Sequence, residues 1–190
     1  MKKQPIKGVK KVKNEVKKVK KLPLNKRQDG NKRQKYGTSK LEQYFAKEYL
    51  DKLGLKYIYE YEAKKIQRFY DFAIVQYPEV NYLTEEKHGI KSIKQDGQIT
   101  PISFCIEVDG NYWHSNPNFV DVSKLTPTQK HNKYVDFLKD KWCENNGIPL
   151  VRIWEEDIRK NPKKVFEQLE IYIHDAEKKQ KIKELKKKPH

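Results

Sequence analysis

Apolar and polar positions along the chain follow first a helical period and then a strand period. Leu41, Tyr44, Phe45, Tyr49 and Leu50 recur at helical spacing, with Ser39 and Glu42 placed as a capping box. A helix is therefore expected over about residues 40–53, closed by Gly54 as its C-terminal cap. From Leu55 the pattern alternates and predicts a hairpin, with strands over about 55–61 and 67–75 and a polar turn at 62–65. Residues 77–100, with Pro78, Gly89 and Gly97, have no clear period and read as a long loop or a short hairpin insertion. A central strand follows over 102–109, then a loop over 115–127. Next come a helix from near Thr128 to just before Gly147, a strand over 148–154 and a last helix from near Asn161-Pro162. The apolar stripe expected of the first of these helices is Tyr134, Phe137, Leu138 and Trp142, while Val165, Phe166, Leu169, Ile171 and Ile173 are expected inside the last.

Several positions break this pattern with chemistry. In the central strand the alternation sets Phe104, Ile106 and Val108 on one face and Cys105, Glu107 and Asp109 on the other. Two carboxylates on one face repel unless a cation lies near them, and hard divalent ions take such oxygen ligands. Asp71, set among Phe69, Tyr70, Phe72 and Ile74, must be paired, metal-bound or exposed at the sheet surface, because an isolated buried carboxylate is too costly. Just after the central strand, Gly110-Asn111-Tyr112-Trp113-His114 delivers two aromatics and an imidazole past a glycine break. Asn132, Asp136 and Lys139 are spaced to share one side of their helix. Glu42 suits either a capping or an active-site role, and Trp113 either base stacking or core packing. Trp142 and Trp154 are expected in the core.

Charge places a partner beside these residues. Residues 1–36 carry 15 Lys+Arg against 2 Asp+Glu, or +13, and residues 177–190 carry 7 Lys against 2 Glu, or +5. Of the total of +16 this leaves −2 for residues 37–176, so the positive charge sits in the ends. Lysines such as Lys10, Lys11, Lys17, Lys18, Lys20 and Lys21 favour a polyanion, because lysine beside phosphate releases condensed counterions. The arm, poor in large apolar residues, is expected to be disordered and to bind nucleic acid, against the plainer reading of a solubilising leader. No apolar run approaches the ~18–20 residues of a membrane span, and no secretory signal follows Met1, so a soluble, cytoplasmic protein without membrane partners is expected. Cys105 and Cys143 provide neither a disulfide framework nor paired metal-ligand spacing and are expected as reduced core thiols.

The order helix, hairpin, central strand, helix, strand, helix, with acids on the strands, resembles the PD-(D/E)XK nuclease superfamily. Within it the chain is most similar to the very-short-patch repair endonucleases and the related EDxHD-type homing endonucleases, over about residues 39–175. Glu42 matches the first-helix glutamate, Asp71 the metal-binding aspartate, Gly110 to His114 the glycine-to-Trp-His segment, Asn132 and Asp136 the helical pair, and Ile153-Trp154-Glu155 the strand ending in Trp-Glu. The resemblance implies an α/β fold with a restriction-endonuclease-like core, a mixed central sheet of about four strands flanked by helices. It also implies a nuclease domain over 37–176, between the arm of 1–36 and the basic tail of 177–190.

Two departures bear on chemistry. The repair enzymes carry a structural zinc built from Cys and His; here Asn111 stands where one such cysteine falls, with no replacement set, so no structural zinc is expected. Asp109 stands where the common pattern has a strand lysine, which turns attention to His114 as the base. The expected catalytic residues are His114, Asp136, Asp71 and Glu42. The expected ligands of Mg²⁺ or Mn²⁺ come from Asp71, Glu107, Val108 and Asp109, with the Glu107 carboxylate and the Val108 carbonyl left as alternatives. Tyr112, Trp113, Asn132 and Lys139 are assigned to DNA contact. The implied function is a metal-dependent DNA endonuclease or nickase of phage or mobile-element homing type. A mismatch-repair nickase and a non-catalytic nucleic-acid-binding protein are the alternatives. Two-strand cleavage from one active site would call for a homodimer or for sequential nicking.

Overall fold

The computed structural model describes residues 40–95 and 100–187. The arm with Lys10, Lys11, Lys17, Lys18, Lys20 and Lys21, and the Ser39 half of the expected capping box, lie outside the described residues.

The first helix runs as α1 (Lys40–Phe45) and then widens into a π-helical turn, Ala46–Leu50, rather than continuing as α-helix to residue 53. Gly54 ends the segment at φ +65°, the left-handed conformation its expected capping role requires. The hairpin forms as β1 (Tyr57–Ala63) and β2 (Arg68–Val75), joined by a single 3₁₀ turn, Lys64–Ile66. The insertion resolves into a second hairpin, β3 (Thr84–Lys87) and β4 (Ile90–Ile93). Its turn residues His88 and Gly89 both have positive φ, +55° and +76°, the combination that two-residue hairpin loops favour. Then come β5 (Ile102–Asp109), α2 (Pro127–Asn146), β6 (Leu150–Trp154), α3 (Glu155–Lys160) and α4 (Pro162–Lys187). The basic tail is thus helical up to Lys187.

The main sheet has the order β1-β2-β5-β6, antiparallel except for the parallel pair β5–β6 that α2 connects. This is the expected mixed four-stranded sheet flanked by helices. One face carries Phe72, Phe104, Ile106, Val108, Val151 and Ile153 and is covered by Phe45, Tyr49 and Leu50 together with Ile158, Val165 and Leu169. The other carries Ile58, Tyr70, Ala73 and Cys105 and meets Trp142 and Cys143 of α2. Cys105 and Cys143 are free, buried thiols, as expected. On α4, Ile171 is exposed rather than inside.

Two irregularities shape the functional end of the sheet. The β1–β2 ladder pairs Tyr59 with Phe72 and Tyr61 with Tyr70 but omits Glu60 and Asp71 between them. At this gap the side chains change sheet face: Tyr59 and Phe72 belong to the first cluster, Tyr61 and Tyr70 to the second. Glu60 holds a left-handed φ of +54° there, a conformation that costs a non-glycine residue of order 1 kcal/mol or more.

The second irregularity is α2, whose amphipathicity is inverted. Thr126 caps it in a reciprocal capping box with Gln129, Pro127 opens it and Gly147 closes it in the left-handed region. Tyr134 and Phe137, expected in its buried stripe, are 57% and 53% exposed. The buried positions are Gln129, Lys139 and Cys143. The sheet face beneath presents Glu107 and Asp109, so the side of the helix that meets it must be polar.

Candidate active site

The C-terminal end of β5 is where the strands part, and it gathers the acids. The β2–β5 ladder stops at Phe72–Ile106, and beyond it the Asp71 carboxylate accepts a hydrogen bond from the Val108 backbone N–H at 2.8 Å. In an extended strand the N–H and C=O of one residue point the same way, so the Val108 carbonyl also faces the gap opened beside Asp71. Glu107, on the α2 side of the sheet, is 2% exposed and receives the Lys139 ammonium at 2.6 Å on Oε2. Its other oxygen, Oε1, is buried without a hydrogen-bond partner. Burial first, then the Asp71 and Asp109 charges, raise the Glu107 carboxyl to about 7 against the opposing pull of Lys139.

Asp109 is held differently. The Arg152 Nη1 lies 3.0 Å from both Asp109 oxygens, and the same guanidinium reaches Asp140 at 2.9 Å and the Asp136 carboxylate at 3.6 Å. Burial still sets the Asp109 carboxyl above its ordinary value. With both oxygens on Arg152, Asp109 is committed to an ion pair. Asp71, Glu107 and the Val108 carbonyl lie at the same strand end.

His114 follows a turn that is pinned to α2. Its N–H bonds to the Gly110 carbonyl, while the Gln129 and Asn132 amides donate to the carbonyls of Tyr112 and Trp113 at 2.8 and 3.0 Å. The imidazole Nδ1 lies 2.9 Å from Asp136 Oδ2 and 3.4 Å from Asp109 Oδ1. Ionised carboxylates only accept, so in the neutral imidazole Nδ1 carries the proton and Nε2 the lone pair. Burial alone would lower the His114 pKa. The Asp136 hydrogen bond and the charges of Asp109 and Asp136 outweigh it and raise the value. Burial would likewise raise Asp136, but the His114 hydrogen bond and the neighbouring cations hold it below the usual carboxylate range. An NMR titration should therefore find His114 titrating above the ~6.5 of a free histidine. Asp136→Asn, which keeps an acceptor but removes the charge, should move that midpoint toward lower pH; an unmoved midpoint would dismiss Asp136 as its cause.

The structure thus brings Asp71, Glu107, Val108, Asp109, His114 and Asp136 to one end of the sheet. Glu42 is buried and accepts a hydrogen bond from Tyr59 at 2.7 Å, one residue from the strained Glu60. Asn132, half-buried, pins the loop through its bond to the Trp113 carbonyl. Lys139, assigned to DNA contact by its sequence position, is 7% exposed with its ammonium on Glu107, because the α2 face it occupies is turned to the sheet. Tyr112 and Trp113 are 54% and 57% exposed and pack edge to face at 5.1 Å, which removes core packing as the role of Trp113. The functional residue that sequence reasoning missed is Arg152. Its signal was a lone charge in the apolar strand Leu150–Trp154, and parallel pairing sets it in register with Glu107.

The donors can be tested against a divalent ion. Among the described residues no three or more His, Cys, Asp or Glu side chains converge to hold one. Mg²⁺ does not require that: it keeps several waters and takes one or two carboxylates together with substrate phosphates. The unpartnered Glu107 Oε1 beside Asp71 has the hard, anionic character such an ion uses, so the residues fit.

Comparisons with protein-family models, with curated proteins and with solved structures find no match for this chain. No helix among the described residues is long and apolar enough to cross a membrane.

Proposed function

We propose that the chain is a Mg²⁺-dependent DNA endonuclease or nickase that hydrolyses phosphodiester bonds. The observation that carries this reading is an imidazole hydrogen-bonded through Nδ1 to Asp136, at the same strand end as a buried carboxylate oxygen with no partner. Asp71 and Glu107, or the Val108 carbonyl in place of Glu107, would hold the ion. When bound, it would lower the pKa of a water and neutralise charge on the reacting phosphate.

In this mechanism His114 Nε2 takes the proton of the attacking water. Asp136 fixes the tautomer and, with Asp109, stabilises the imidazolium that forms. Arg152 holds Asp109 and Asp136 so that their charge faces His114. Glu42 is carried over from the resemblance as a positioning acid. The exposed Tyr112–Trp113 pair supplies an apolar surface for bases, and the lysines of the arm and tail supply charge for the backbone.

The deciding experiment is a supercoiled-plasmid assay with Mg²⁺, comparing wild type with Asp71→Ala. Nicked product from the wild type alone is expected, and nicking that survives the substitution would remove the reading. A second reading, a mismatch-directed nickase, draws on the exposed aromatic pair. It requires faster cleavage of a T:G-mismatched than of a matched duplex.

A further inference from the structure

The inversion of α2 leaves a surface that the reaction does not use. Its sheet side carries Gln129, Asn132, Asp136, Lys139 and Cys143. Its opposite side carries Lys130, Tyr134, Phe137 and Lys141, three or four positions apart and so on one stripe, with Lys133 beside Tyr134 and three and four positions from Lys130 and Phe137. Both aromatics are more than half exposed and cover no core, although a helix of this length normally turns such residues inward. Lys130 and Lys133 make no ion pair among the described residues, while Lys141 meets Glu144.

Resting on the nucleic-acid reading above, we propose that this Lys130–Lys133–Tyr134–Phe137 face is a second nucleic-acid surface that takes unpaired bases. Aromatic rings set among lysines match a single strand: each base offers a π face to a ring, and each phosphate a charge to an ammonium. A blunt duplex keeps its base faces stacked inside and can use only the lysines. A second copy of the chain packed face to face would set Lys130 and Lys133 against like charge, which disfavours self-association there. The substrate class that follows is DNA with an unpaired segment, such as a displaced strand, flap or bubble, held on the outer side of the helix that carries Asp136 on its inner side.

The test uses the full chain in EDTA, so that binding is read without cleavage. The probes are a fluorescent oligothymidylate of about 16 nucleotides and a blunt duplex of equal length. The double substitution Tyr134→Ala/Phe137→Ala should weaken single-strand binding at least ~10-fold, at the stacking energies typical of base–aromatic contacts. Duplex binding should stay within about twofold, and the melting temperature should not change, since neither ring covers the core. Unchanged single-strand affinity, or equal losses on both probes, would overturn the proposal. So would a wild-type dimer in sedimentation that dissociates in the double variant, because it would make the face a contact between copies. Loss of plasmid nicking in Asp71→Ala tests the catalytic reading alone, so the two can fail separately.

Discussion

Replacing Lys139 with Ala is expected to destabilise the folded chain by about 1–3 kcal/mol at pH 8, the usual consequence of leaving a buried acceptor without its donor. Lys139 and Glu107 are 8% and 2% exposed at their side chains and 2.6 Å apart, so neither has water to fall back on. Without the ammonium, Glu107 keeps one oxygen with no partner and loses the partner of the other. The sign of the pH dependence follows. Burial already lifts the Glu107 carboxyl to about 7, and removing Lys139 takes away the influence that holds it down. A carboxyl whose folded value lies above its unfolded one favours the fold while protonated and opposes it once ionised. The deficit of Lys139→Ala should therefore be small near pH 5 and grow toward pH 8. Thermal melts of wild type and variant in metal-free buffer at both pH values check this, with the difference expected to widen by about 3–6 °C at the higher pH. An equal deficit at both would mean that lost packing against the Tyr70 ring, 5.5 Å from the ammonium, is the cause. The double variant Glu107→Gln/Lys139→Met should recover most of the stability, since it leaves no buried charge unpaired.

Under the proposed mechanism, His114→Ala should slow Mg²⁺-dependent nicking by about 10²–10⁴-fold, the range that a positioned general base contributes. The fold should survive, because the side chain is 23% exposed and Asp136 and Asp109 keep Arg152 as a cation. Asp136→Asn should also slow nicking, because an amide can donate as well as accept and no longer fixes the tautomer. In the activity that remains, the acid limb of the rate profile should shift. A base must be neutral, so a raised His114 pKa places that limb above the free-histidine value, and Asn at 136 should bring it down. Wild-type nicking by His114→Ala would remove the imidazole from the chemistry.

Much of the architecture was legible because its causes are local. Gly54 and Gly147 in the left-handed region and the two-residue alternation of β5 are each written in a few neighbouring residues, whereas the Thr126–Gln129 capping box starts α2 one residue earlier than expected. The site was legible in part. Asp71, His114 and Asp136 stood out by type and placement, and the structure sets His114 on Asp136 and Asp71 on the Val108 N–H. The π-helical turn at Ala46–Leu50 and the strained Glu60 were not legible, since each depends on what packs against it. Tyr134 and Phe137 misled for the same reason: periodicity identifies a stripe on a helix but not the polarity of the surface it will meet.

The pairing of charges marks the limit. The sequence by itself determined which strand positions carry acids, that a histidine follows the central strand after a glycine break, and that positive charge gathers at the two ends. Only the tertiary structure decided which cation answers each acid. Lys139 goes to Glu107 and Arg152 to Asp109, a choice of partner that neither the helical spacing of Lys139 nor the strand position of Arg152 specifies. The physical reason is that a helical period fixes a direction around one axis, whereas an ion pair depends on where that axis crosses the sheet. Where α2 crosses the sheet, the Tyr70 hydroxyl donates to the Lys139 carbonyl, and Trp142 and Cys143 pack with Tyr70 and Cys105, contacts between segments that only the fold brings together.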